Sequence, residues 1–269
     1  MIFHSMKPLR RRTVFLAVFV ALALAGSLLL RTQLQTQDPR NGTYTFSGEA
    51  VTLHDGSNVA ADGTVTRYFG NEARADINQD GREDVVFLLT QDGGGSGTFY
   101  YVAAALGGAR GVVGTNAVFI GDRIAPQSTE ARGGEIVVNY ADRYPWERFT
   151  DAPTVGKSKV LSVADGQLVS RDAEALTMEE ARKLVIAANG GCGDGRCTQL
   201  SVNILDGVDG VWYVEAVRDG LHDDSVAAEK IVAQAHFVSG TWSVGAPLRT
   251  EYRCQPKRGQ QEFSTALCL

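Results

Sequence analysis

The chain lacks a recognisable catalytic constellation. No G-x-S-x-G elbow surrounds a serine, and Ser96 and the Ser158-Lys159 pair stand isolated, so no common nucleophile motif is present. The glycine-rich run at residues 91–97, QDGGGSG, is not followed by Lys-Ser/Thr. That excludes a phosphate loop and leaves a long hairpin loop between two apolar stretches. Histidine is scarce: His4 precedes the first apolar run, His54 and His222 flank turns, His236 falls within a strand pattern, and no two have the spacing of a metal pair. His222-Asp223-Asp224 is the nearest approach to a base beside carboxylates and reads as a solvated turn. The sequence therefore yields no catalytic residue.

Clustered positive charge is also missing. Residues 1–40 hold six basic side chains and one acid, which leaves 20 basic against 30 acidic groups beyond them. No Lys/Arg cluster interrupts that acidic excess, so a nucleic-acid partner is excluded. With 44% hydrophobic and 21% charged residues, the composition rules out a disordered or collagen-like chain. A length of 269 residues predicts two domains.

Only one stretch is long and apolar. Residues 13–30, TVFLAVFVALALAGSLLL, follow Lys7, Arg10, Arg11 and Arg12. As a helix they span roughly 27 Å, close to the thickness of a hydrocarbon core. The basic flank stays in the cytoplasm and points the remaining chain outward. Residues 1–30 read as a signal-anchor, because Leu28, Leu29 and Leu30 continue past the small-residue pattern Ala23-Leu24-Ala25. The alternative is a signal peptide cleaved near Ala25, releasing a soluble protein. No cysteine lies here, which argues against a lipoprotein.

The four cysteines, Cys192, Cys197, Cys254 and Cys268, fall in the last third, and an even count in an exported chain predicts two disulfides. Three connectivities are open. Cys192 with Cys197, and Cys254 with Cys268, are preferred because each closes a short loop. A four-cysteine zinc site is the rival, but neither pair has C-x2-C spacing.

Residues 31–42 read as a polar linker. Residues 43–172 carry short alternating segments bounded by Gly, Asp and Asn, which predicts a β domain, a sandwich or partly open barrel. Tyr100, Tyr101, Tyr140, Tyr144 and Trp146 within it are strand-core residues or, on the second reading, a ligand surface. Residues 173–269 change pattern. Thr177 with Glu180 makes a capping box, Leu184, Val185 and Ala188 share a helical face, and Gly190-Gly191 ends the helix. Alternation at Leu200, Val202 and Ile204 follows, then a turn from Asp206, then runs around Trp212, residues 227–237, and Trp242. The fold class is thus mainly β with a C-terminal α+β domain, one helix packed on a four-stranded antiparallel sheet. In element order alone this domain resembles cystatin-like and NTF2-like folds.

Residues 76–84 read Asp-Ile-Asn-Gln-Asp-Gly-Arg-Glu-Asp. Asp76, Asn78, Asp80 and Asp84 place oxygens at positions 1, 3, 5 and 9, with the Arg82 carbonyl between them and Gly81 permitting the turn. Hard oxygen donors at that spacing predict Ca²⁺ as a structural cofactor; the alternative is an Asx-rich turn that binds no ion, a common use of Asp, Asn and Gly. The loop resembles the D-x-N-x-D-G-x-x-D loops of FG-GAP propeller repeats and is similar to those of dockerin modules. It occurs once here, and Phe87 stands where an EF-hand has glutamate, so the resemblance implies ion binding and nothing about partners. The runs GTFYYVAAAL, GTNAVFIGDRIAP and VVNYADR resemble a family of uncharacterised bacterial envelope proteins over residues 43–172. That resemblance implies an envelope location and a shared β domain, and supplies no activity; with the signal-anchor at residues 1–30, the expected location is periplasm-facing and inner-membrane-anchored.

Together these features predict a non-enzymatic, calcium-stabilised module presented to a protein or glycan partner. Two other readings are a periplasmic hydrolase using paired carboxylates on an envelope polymer, and an inhibitor or ligand carrier with a pocket lined by Trp212 or Trp242.

Overall fold

Alternation of apolar and polar side chains makes most of the described residues β-structure, and one amphipathic segment among them makes an α-helix. The computed structural model describes residues 38–269 apart from 109–110, 172–175, 194, 209–210 and 239. The apolar segment 13–30 and most of the linker lie outside the described residues. Among the described residues no helix is long and apolar enough to cross a membrane.

The strands are β1 (Thr43–Phe46), β2 (Glu49–Thr52), β3 (Ser57–Val59), β4 (Val65–Ala75), β5 (Asp84–Asp92), β6 (Phe99–Gly108), β7 (Gly111–Gly114), β8 (Val118–Asp122), β9 (Ala125–Arg132), β10 (Glu135–Asp142), β11 (Val155–Ala164) and β12 (Gln167–Ser170). Helix α1 (Met178–Asn189) precedes β13 (Gln199–Val208), β14 (Val211–Asp219), β15 (Val226–Val238) and β16 (Thr241–Cys254). They form a β1-β2 hairpin and three larger sheets: β3-β4-β5-β6-β7 with β8 added beside β6, then β12-β11-β10-β9, then the meander β13-β14-β15-β16. The protein is mainly β, with several antiparallel sheets and one helix among the described residues.

Three strands escape the sequence reading. β3 and β7 are three and four residues long, and β9, APQSTEAR, is polar, so their pairing rather than their apolar content places them in sheets. The end of the expected linker is also folded. Asp38 caps a single 3-10 turn at Pro39–Asn41, and the buried Tyr44 hydroxyl donates to the Pro39 carbonyl at 2.7 Å.

By compactness the chain divides into two units. Among the described residues, unit 1 comprises those from 38 to 120 with 131–134 and 163–168, and unit 2 comprises those of 121–130, 135–162 and 169–269. The division falls elsewhere than at residue 172/173. Within unit 2 the Lys157–Asp206 ion pair joins β11 to β13, and the rings of Tyr144 and Trp146, which follow β10, meet Tyr213 of β14.

Unit 1 is built around β5 and β6. Val85, Val86, Phe87, Leu88 and Leu89 are buried without a break, the pattern of a strand covered on both faces. Tyr44, Phe46, Leu53, Ala103 and Ala105 pack with Val85, Phe87 and Leu89, and Tyr44 meets Phe87 edge-on at 5.2 Å.

In unit 2, α1 starts as the sequence predicts. The Thr177 hydroxyl accepts the Glu180 amide, and the Glu180 carboxylate accepts the Thr177 amide. Ala181 and Val185 are its buried residues, with Leu184 half-buried beside them, while Ala188 is exposed; the inward face lies nearer the N-terminus than the sequence suggested. That face packs on Leu200, Val202, Val214, Ala216, Ala235 and Trp242. Trp212 and Trp242 belong to this core rather than to the open pocket expected of a carrier. The preferred cysteine pairing is the one formed. Cys192–Cys197 closes the turn after α1 with Cα atoms 4.8 Å apart, and Cys254–Cys268 joins the end of β16 to the C-terminal tail at 5.4 Å.

Candidate functional site

Two places gather functional side chains, one in each unit. The first is the Asp76–Asp84 segment that joins β4 to β5. Its side chains turn inward onto its own amides: Asp76 accepts from Asp80 and Gly81, Asn78 also accepts from Asp80, and Asp80 accepts from Arg82, all at 2.9–3.0 Å. Gly81 lies at φ +85°, where a side chain would strain the backbone, so the glycine at position 6 is needed for the turn. The Arg82 guanidinium also pairs with the second Asp80 oxygen at 3.1 Å on the surface.

Asp84 differs from the other three. It is 0% exposed, and its carboxylate accepts the amides of Ile77 at 3.0 Å, Asn78 at 3.4 Å and Gly107 at 2.7 Å. Burial pushes its pKa up, and those three amides offset part of the rise. It therefore anchors the loop to the end of β6. A carboxylate has about four acceptor sites, so three amides leave one free for an ion.

The donor set fits a hard cation in chemistry: Asp76, Asn78, Asp80 and the Arg82 carbonyl are oxygens on one short turn. Among the described residues no group of three or more His, Cys, Asp or Glu is drawn together closely enough to hold a metal unaided. A calcium ion here would depend equally on Asn78 and the Arg82 carbonyl.

The second place is a cavity of about 320 Å³ in unit 2, lined by Gly156, Lys157, Ser158, Val160, Asp206, Val211, Tyr213 and Gln234. The Lys157 side chain is 9% exposed, and its ammonium donates to Asp142 and Asp206, each at 2.9 Å. Burial works against its charge, but the two carboxylates outweigh burial and raise its pKa. The carboxylate oxygens it joins are no further apart than twice 2.9 Å. Tyr213 accepts the Gln234 side-chain amide at 2.9 Å, and the stacked rings of Tyr144 and Trp146, 4.6 Å apart, meet Tyr213 edge-on.

The sequence points to none of the residues lining this cavity as a site, and it reads Asp206 as part of a turn. In the structure β13 runs on to Val208. An irregularity between Ile204 and Asp206 leaves Leu205 out of register and half-exposed, which breaks the alternation that otherwise marks a strand. Of the five aromatic residues noted earlier, Tyr140 is core, Tyr144 and Trp146 cover one another beside the cavity, and Tyr100 and Tyr101 are half-buried in unit 1. His222 and Asp223 border an open hollow, but Asp223 accepts the amides of Ser225 and Val226, so its carboxylate is committed to the turn.

No protein-family model, curated protein or solved structure matches the chain.

Proposed function

We propose that the protein is an exported, non-enzymatic binding module of the bacterial envelope. Residues 13–30 anchor it, Ca²⁺ at Asp76, Asn78, Asp80, Arg82 and Asp84 braces its β domain, and it meets a protein or glycan partner outside the cytoplasm. The disulfides carry this reading. Two closed pairs and no free cysteine among the described residues are the economy of an oxidising compartment. The finer architecture belongs to the same proposal: a sandwich-like β domain, then a helix-and-sheet domain in cystatin-like or NTF2-like order.

A structural calcium of the extracellular kind binds at about 0.1–1 mM, useful outside the cytoplasm and largely empty within it. Saturating Ca²⁺ then stabilises by roughly 1–3 kcal/mol, a rise in Tm of about 3–10 °C. Thermal melts of the full chain in Ca²⁺ and in chelator test this. Equal Tm values in the two conditions, or an Asp80→Ala chain that keeps the full response, sink the brace.

One observation favours the hydrolase reading: Asp142 and Asp206 are both held 2.9 Å from one ammonium, which brings two carboxyls together as a two-carboxylate hydrolase requires. Against it, a general-acid carboxyl is tuned by an apolar, cation-poor setting, whereas both of these share the Lys157 ammonium. Binding is the better reading of that cluster.

A further inference from the structure

The cavity around Lys157 is assembled with more care than packing demands. Asp206, Tyr213 and Gln234 are direct cross-strand partners, so they form one row across β13, β14 and β15. The β-ladder is irregular at both ends of that row, in the pairing of β13 with β14 and in that of β15 with β16. One register shift lies between Ile204 and Asp206, and another between Ala233 and Ala235, next to the position where Pro247 of β16 faces Ala233. Bulges sacrifice ladder regularity and re-aim side chains, and two of them flank the same three residues.

The chemistry of the wall alternates donors with acceptors. An ammonium has three protons, and Lys157 gives two of them to Asp142 and Asp206. The Tyr213 hydroxyl takes the Gln234 amide and keeps its own proton to give, while Gln234 keeps its carbonyl oxygen. Val160, Val211 and the Tyr213 ring supply apolar wall between these groups. Lys157 and Asp206 pair with each other, so the charges on this wall are spent on one another rather than held free for a charged ligand. A volume of about 320 Å³ sits at the low end of the ~300–1,000 Å³ of small-molecule pockets.

We infer that this cavity is a binding site for a neutral, hydroxyl-rich ring, one or two sugar units in size. Hydroxyls both give and accept hydrogen bonds, matching the alternation, and the apolar faces of a sugar ring match the valines and Tyr213. The inference rests on the reading of the protein as a binding module and names its ligand class.

The test is titration calorimetry of the full chain, in a detergent without sugar headgroups, with N-acetylglucosamine, glucose and maltose as probes and inorganic phosphate and putrescine as controls. The expected result is saturable heat with at least one sugar, none with either control, and a Kd raised tenfold or more by Tyr213→Phe and by Gln234→Leu. Tyr213→Phe removes one oxygen and keeps the ring, so it carries the test if Gln234→Leu melts early. Silence from every sugar at millimolar concentration, an unchanged Kd in Tyr213→Phe, or heat from phosphate or putrescine alone overturns the inference. Sugar silence beside an intact calcium response leaves the binding-module reading standing. Glucose released from maltose sinks the non-enzymatic reading and keeps the cavity as the sugar site.

Discussion

The loop at residues 76–84 and the cavity around Lys157 both depend on buried or half-buried acids, yet the chain supplies them in opposite ways. The loop draws its side chains from nine consecutive residues and satisfies them with backbone amides, chiefly its own. The cavity draws Asp142, Lys157 and Asp206 from three strands spread over more than sixty positions and satisfies charge with charge. Local geometry fixes the first; only the assembled sheets fix the second. Acids held by amides and acids held by a cation should fail differently.

The largest contrast lies in deleting one member of each. Asp84→Ala strands three amide donors, those of Ile77 and Gly107 buried, at about 1 kcal/mol or more each, and also leaves a void. The expected loss is roughly 3–5 kcal/mol, read from urea melts, together with faster hydrogen exchange at those amides. Native-like protection at Ile77 and Gly107 in the variant refutes the anchor.

Lys157→Met is expected to cost less, about 1–2 kcal/mol. It leaves Asp142 and Asp206 without their shared cation, but both keep contact with water, which softens the penalty of an unpaired buried charge. Asp206→Asn in the same background should recover part of that loss, because it removes one of the two facing negative charges. A double variant no more stable than Lys157→Met argues that the cluster is surface decoration.

The same contrast explains what was legible in the sequence. The turn at 76–84 could be read because its Asp and Asn residues and its glycine are contiguous, and α1 because capping is local to Thr177 and Glu180. The disulfides followed from short separations. The cavity was hidden because the bulge at Leu205 imitates the end of a strand, and because nothing near Lys157 in sequence announces a partner 49 residues away. The polar strand β9 was hidden for a related reason: its place comes from its neighbours in the sheet rather than from apolar content.

The smallest expected effect separates the two units by pH. In unit 2, Glu251 sits below its ordinary pKa: burial would raise it, but Lys230 and Arg249 together outweigh burial. The Arg253 hydrogen bond likewise lowers Asp219. Groups with depressed folded values bind fewer protons folded than unfolded, so their contribution is present near neutrality and is lost as pH falls below about 4.5. Asp84 in unit 1 is raised and behaves in reverse, its contribution growing on acidification and fading as pH rises through its folded pKa. The three tryptophans, Trp146, Trp212 and Trp242, all lie in unit 2, so indole fluorescence reports that unit alone. Between about pH 5 and pH 3 the fluorescence-detected urea midpoint should fall, less steeply in Glu251→Gln. Over the same interval, exchange protection at Ile77 and Gly107, corrected for the intrinsic pH dependence of exchange, should hold or rise, and Asp84→Asn should remove that trend. A parallel acid loss at both reporters would show that amide-held and cation-held carboxylates respond alike, and the contrast between the two sites would then be one of sequence placement only.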